Sequence, residues 1–160
     1  MSIDLVKMER RMLVSQKCQY AVRAIFELGK RSGKGPVRIA DVAAAQAIPV
    51  RFLEDILNQL KQGGFVLSRR GSRGGYVLAR PPHQLSVGDI IRFVEGPLGP
   101  VVCAMGRRQT DCPLYGDCVF LPMWERVREA ISGVYDQTTI QSLVELDARR
   151  SAEYVASYAI

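Results

Sequence analysis

The sequence has no uninterrupted apolar run of the roughly 18 residues or more that a membrane span needs. Its opening stretch, MSIDLVKMERRM, lacks the apolar core of a secretory signal. These absences predict a soluble, cytoplasmic protein with no membrane partner. There is no C-x-x-C pair, no glycine-rich phosphate loop and no nucleophile beside a base, so an enzyme or electron carrier is not expected. Histidine occurs once, as His83 in PPHQL, where a solvated loop residue is the reading. Acidic residues are missing altogether from Ile56 to Gly88, although Lys61, Arg69, Arg70, Arg73 and Arg80 fall in that stretch.

What is present begins with enough apolar side chain, 48% of 160 residues, to build one ordinary core. Charge is divided unevenly. Residues 1–92 hold 16 Lys and Arg against 7 Asp and Glu, a net of +9, while residues 93–160 hold 6 against 9, a net of −3. A basic half with an acid-free stretch suits a phosphate-bearing partner, although a solvated, solubilising face has the same composition.

Apolar spacing at Cys18, Ala21, Val22, Ile25 and Leu28 predicts a helix over 15–31 that ends in SGKGP. Ile39, Val42 and Ala43 mark a short helix over 38–46. After Ala47-Ile48-Pro49, Leu53, Ile56, Leu57 and Leu60 line a helix over about 49–62 that stops at Gly63-Gly64, a left-handed cap. FVLS and GYVLA are strand-prone and separated by RRGSRG, which reads as a hairpin with a mobile, arginine-bearing tip. Ser86 and Asp89 form a capping-box pattern for a helix carrying Val87, Ile90, Ile91 and Val94 and ending at Gly96-Pro97. From Pro122, Trp124, Val127, Ile131 and Val134 recur at helical spacing to about Tyr135, a long helix suited to dimerisation. TTIQSLVEL adds a short capped helix, and DARRSAEYVASYAI is a helix or a tail.

Helix, turn, helix and basic hairpin is the order of a winged helix-turn-helix. The predicted fold is mainly α with a small β-hairpin wing and a long dimerisation helix. The second helix of the pair would enter the major groove with Val50, Arg51, Phe52, Glu54 and Asp55 near its start. Arg51 could pair with guanine or phosphate, Phe52 could meet a thymine methyl and Glu54 could accept from cytosine. The plainer alternative puts Phe52 in the core and pairs Glu54 with Lys61 or Arg51. Arg69, Arg70 and Arg73 on the wing stand among glycines that let backbone approach a phosphate or a narrow minor groove.

Cys103-x8-Cys112-x5-Cys118 lies in a stretch rich in glycine and proline. Without a secretion signal such a cluster is more often metal-binding or redox-active than a disulfide framework. The spacing lacks the paired knuckles of structural zinc sites, yet thiolates serve zinc, iron–sulfur clusters and redox chemistry alike.

The segments SQKCQYAVRAIFEL, GPVRIADVAAAQAIPVRFLEDILNQLKQGGFVLSRRGSRGGYVLARPP and LSVGDIIRFVEGPL resemble the bacterial winged-helix family of IscR, NsrR, RirA and CymR. The likeness spans roughly Leu13 to Leu146 and is most specific in the wing and the helix after it. It implies a DNA-binding transcription regulator, a repressor, acting as a homodimer on a two-fold operator of double-stranded DNA. Its implied divisions are an extension over 1–12, a DNA-binding domain over 13–97, a cysteine loop over 98–121, a dimerisation region over 122–147 and a tail over 148–160. Arg51, Phe52, Glu54 and Arg70 match family DNA-contacting positions, and Trp124, Val127, Ile131 and Val134 would form the dimer interface. Cluster-binding members carry three cysteines in this loop, so Cys103, Cys112 and Cys118 would hold a two-iron two-sulfur or four-iron four-sulfur cluster that senses redox, iron or nitric oxide. The alternative is a cluster-free regulator of the same fold, controlled by thiol oxidation or a protein partner.

The sequence departs from the family pattern in four places. Ala47 stands where the turn often has glycine, and Arg73 replaces a common wing glycine. Leu121 stands where some relatives have a histidine ligand, and Gln19 where others supply an acid from the partner. Cys18, Gln19, Asp111 and Asp117 are the remaining candidates for a fourth ligand. For Cys18 the plainer reading is a small apolar residue on the inner face of its helix.

Overall fold

The computed structural model describes residues 14–105, 112–114 and 116–158. Among these residues six α-helices accompany one two-stranded antiparallel hairpin. Helix α1 (Gln16–Lys30) starts at Ser15, whose Oγ accepts from the Cys18 backbone N–H at 3.2 Å, and turns Cys18, Ala21, Ala24, Ile25 and Leu28 inward. Helices α2 (Ile39–Gln46) and α3 (Val50–Gln62) form the helix-turn-helix. Helix α3 buries Leu53, Ile56, Leu57 and Leu60, the four residues its spacing singles out, and they share a core with α1.

Two local devices shape the pair. Ala47 adopts φ 48° and ψ 49°, the left-handed region, and is the one non-glycine with positive φ among the described residues. That is the turn position where a glycine would be unstrained. Glu27 is the one charged side chain buried among the described residues. Its carboxylate accepts from Arg31 Nε at 2.8 Å and from Gln46 Nε2 at 2.9 Å, which ties α1 to the end of α2. The two glycines after α3 divide their work. Gly64 takes the left-handed conformation at φ 71°, while Gly63 leaves room for the Phe93 ring, which a Cβ there would meet at 2.4 Å.

Strands β1 (Val66–Arg69) and β2 (Gly75–Leu78) pair in a register that sets Val66 opposite Leu78 and Arg69 opposite Gly75. A further backbone bridge comes from outside the hairpin. Val37 exchanges two backbone hydrogen bonds with Tyr76, at 2.9 and 2.8 Å. A Cβ on Gly75 would lie 2.3 Å from the Val37 carbonyl oxygen, so glycine is what lets these backbones meet.

Helix α4 (Val87–Glu95) has the expected capping box: Asp89 N–H donates to Ser86 Oγ at 3.0 Å and Ser86 N–H to Asp89 Oδ2 at 3.1 Å. Burial works to raise the Asp89 carboxyl, but its hydrogen bonds with Ser86 and the charges of Arg92 and Arg80 hold it below the ordinary value. Helix α5 (Leu121–Gln137) follows the cysteine loop and buries none of its residues. Helix α6 (Ile140–Tyr158) is continuous where the sequence suggests a short helix and then a helix or tail, so no break falls at 147/148. The extension over 1–12 lies outside the described residues.

The junction between α5 and α6 is fastened to α4. Val87 N–H donates to the Thr138 carbonyl and Ile140 N–H to the Leu85 carbonyl, both at 2.9 Å, and Arg92 Nη2 meets Asp136 Oδ1 at 2.6 Å. Ile140 is fully buried against Gly29, and Lys30 pairs with Asp147 at 2.8 Å, so α6 rests on α1.

Candidate nucleic-acid interface and cysteine loop

The start of α3 projects Val50, Arg51, Phe52 and Glu54 outward, with Leu53 between them facing the core. Phe52 is 50% exposed, so the alternative that places it in the core does not hold. The Arg51 guanidinium lies 5.5 Å from the centre of the Phe52 ring, a cation–π contact that steadies both side chains at the helix tip. Among the described residues Glu54 makes no ion pair with Lys61 or Arg51 and stays free to accept a hydrogen bond. Beside this tip, between α1 and α3, runs an open cleft of about 590 Å³ lined by Gln16, Lys17, Tyr20, Phe52 and Asp55.

Arg69, Arg70 and Arg73 are exposed around the hairpin tip and form no ion pair among the described residues. Arg80, from the same acid-free stretch, lies across the Phe65 ring at 5.4 Å, so its stem packs as well as carrying charge. Sequence reasoning missed Arg38, which caps α2 without a side-chain capping bond and donates from Nη2 to the Ser72 carbonyl at 3.1 Å. The one available signal was an arginine at a position where Ser, Thr, Asn or Asp is preferred.

Cys103 lies in a short 3₁₀ turn, Cys103–Met105, and Cys118 just before α5, where its carbonyl accepts from Leu121 N–H at 3.2 Å. Cys103, Cys112 and Cys118 are half-buried, free thiols. Their chemistry suits iron or zinc. As folded they do not converge, because no group of three or more His, Cys, Asp or Glu side chains among the described residues is placed to hold a metal ion. Of the fourth-ligand candidates, Asp111 lies outside the described residues. Asp117 is exposed, and Gln19 is exposed with its Nε2 donating to the Val14 carbonyl at 3.0 Å.

Cys18 is fully buried against Val87 and Ile91. Burial first, then the negative charge of Glu95, pushes its thiol up to about 12. Burial and packing place Cys18 among the core residues, in line with its plainer reading. Glu95 ends α4 at the entrance to the loop and accepts from both the backbone N–H and the hydroxyl of Ser15. The residues on α5 face differently from those of a core helix: Trp124, Val127 and Ile131 are half-buried, and Val134 is 65% exposed.

Residues 14–146 match the Rrf2 family, described as "Iron-dependent Transcriptional regulator". The chain is 34% identical to the HTH-type transcriptional regulator CymR of Bacillus subtilis over 82% of its own length and 89% of that protein. It is 31% identical to the regulator IscR of Serratia proteamaculans, over 83% and 79%. The solved structure of B. subtilis CymR, the global cysteine regulator, superposes with a TM-score of 0.69 at 33% identity, covering 84% of this chain and 97% of that one. IscR of T. potens superposes with a TM-score of 0.70 at 34% identity, covering 87% and 90%. These relatives regulate transcription and are not enzymes. The family match spans residues 14–146, from just before α1 into the first turns of α6, and the chain belongs to the Rrf2 family of winged-helix transcriptional regulators.

Proposed function

We propose that this regulator acts in the cytoplasm as a repressor, binding a two-fold operator as a homodimer, and that the state of Cys103, Cys112 and Cys118 sets its DNA affinity. Residues 13–97 are the DNA-binding head, 98–121 the sensing loop and 122–147 the dimerisation region, with 148–158 prolonging α6. Val50, Arg51, Phe52 and Glu54 read bases while Arg69, Arg70 and Arg73 hold phosphate or minor groove.

The observation that carries the reading is position: three accessible thiols occupy the joint between the head and α5. An iron–sulfur cluster, with two or four irons, is the group this donor set suits, and the family's iron-dependent description supports it. Thiolates supply the ligands such a cluster takes. Because the three sulfurs do not converge here, the loop has to close around any cluster it holds. Anaerobic purification with iron and sulfide analysis tests this reading. Bound iron, acid-labile sulfide and visible absorbance are expected, together with an operator affinity that changes when the cluster is removed. A colourless, iron-free protein from iron-replete cells overturns it.

A second reading has its own support in the presence of free, partly exposed thiols and in the likeness to a cysteine regulator. There the loop thiols respond by oxidation, two thiols losing two electrons and two protons to an oxidant as a disulfide forms. Mass-shift labelling before and after peroxide, paired with operator binding, separates the two.

A further inference from the structure

Arg38 breaks a local rule. A helix start favours a short oxygen-bearing side chain that accepts from the first free N–H groups, and an arginine has no acceptor to offer. Its carbonyl still accepts from Asp41 and Val42 N–H at 3.0 and 3.2 Å, while its side chain makes no capping bond. That side chain crosses 34 residues of sequence to donate to the Ser72 carbonyl.

Ser72 lies between the two arginines of the wing tip, Arg70 and Arg73. The tip is otherwise loose. It contains Gly71, in the left-handed region at φ 110°, and Gly74, and its internal hydrogen bond is a single turn contact from Gly74 N–H to the Gly71 carbonyl at 2.9 Å. The strand just behind the tip is held by Val37, the residue next to Arg38, through its paired hydrogen bonds with Tyr76. Two consecutive residues thus fasten the tip and the strand just behind it to the start of α2, and α2 packs on α3.

Resting on the DNA-binding reading, we propose that Arg38 is a positioning residue: its hydrogen bond to Ser72 fixes the wing arginines at a set distance from the recognition helix. One helix-turn-helix and one wing then engage neighbouring grooves as a single rigid unit. The ordering cost of the wing tip is met on folding and not on binding, which is where preorganised contacts gain affinity.

The experiment uses the full chain and a duplex enriched from a random pool by the wild type. Affinity and hydroxyl-radical protection are measured for Arg38→Met, for Arg38→Gln, for Arg70→Ala with Arg73→Ala, and for Arg38→Met combined with that pair. Arg38→Met is expected to weaken binding roughly five- to tenfold, about the worth of one such hydrogen bond. It should also blur protection at the wing while protection under α3 persists. In the chain already lacking Arg70 and Arg73, Arg38→Met should change affinity less than about twofold, because coupled residues do not add. Losses that simply multiply overturn the proposal and make Arg38 an independent phosphate contact, and no loss from either Arg38 variant also overturns it. Unchanged thermal unfolding separates both outcomes from misfolding. A wild type that enriches no duplex overturns the DNA reading itself.

Discussion

The head and the outer helix of this protein obey different rules. In the head, α1, α3 and α4 send Ile25, Leu28, Leu53, Leu57, Leu60 and Ile90 into one core at 2% exposure or less. Helix α5 is longer than any of these three, yet buries nothing. It carries Val119 and Phe120 just ahead of it at 82% and 54% exposure, and Met123 and Val134 along it at 46% and 65%. Large apolar side chains left exposed along one helix are what an interaction surface presents. The head closes a core that also takes in Ile140 from α6, whereas α5 leaves its apolar side chains open, the surface that the proposed homodimer would cover.

The contrast can be broken from either side. Leu57→Ala should cost the head about 3 kcal/mol, within the range for truncating a well-packed leucine, measured by urea unfolding. Ile131→Asp with Trp124→Ala should leave the head's unfolding nearly unchanged but give monomers by light scattering. Operator affinity should then fall on the order of 100-fold, because two half-sites no longer act together. If that variant stays dimeric, α5 is not the interface.

Thiol chemistry sharpens the same comparison. In the reduced, folded protein stripped of any cluster, Cys103, Cys112 and Cys118 should label rapidly with a maleimide, and Cys18 only on unfolding. Because the folded Cys18 thiol keeps its proton up to about pH 12 while the unfolded one releases it near 9, stability falls as pH rises through that window. Cys18→Ala should flatten this part of the alkaline unfolding curve. The smallest effect belongs to the turn: Ala47→Gly should relieve left-handed strain and raise stability by at most about 1 kcal/mol, visible as a small upward shift in the thermal midpoint.

Much of the head was legible because its signals are local. The inward face of α3, the Ser86–Asp89 box and the glycine stop after α3 each follow from residues within a turn or two of one another. What escaped notice depends on distance along the chain. The Val37–Tyr76 rung, the Arg38–Ser72 bond and the fit of Phe93 over Gly63 join residues 30 or more positions apart, and no periodicity encodes them. The α6 continuation was hidden for another reason: a run as polar as DARRSAEY gives a weak apolar stripe. For the candidate site, spacing identified the donor type of the three loop cysteines but not how far apart their sulfurs lie. Burial separated Cys18 from the other three.

The fastening of the α5–α6 junction to α4 makes α5 a lever. Its end near Asp136 is pinned to Arg92, while its other end begins beside Cys118. Seventeen residues of helix extend about 25 Å. A pivot of about 10° at the pinned end therefore corresponds to a sweep of about 4 Å at the tip, close to the rise of one base pair along DNA. In the proposed dimer, gearing of this ratio would convert a slight angular adjustment into a displacement on the length scale that separates neighbouring base pairs.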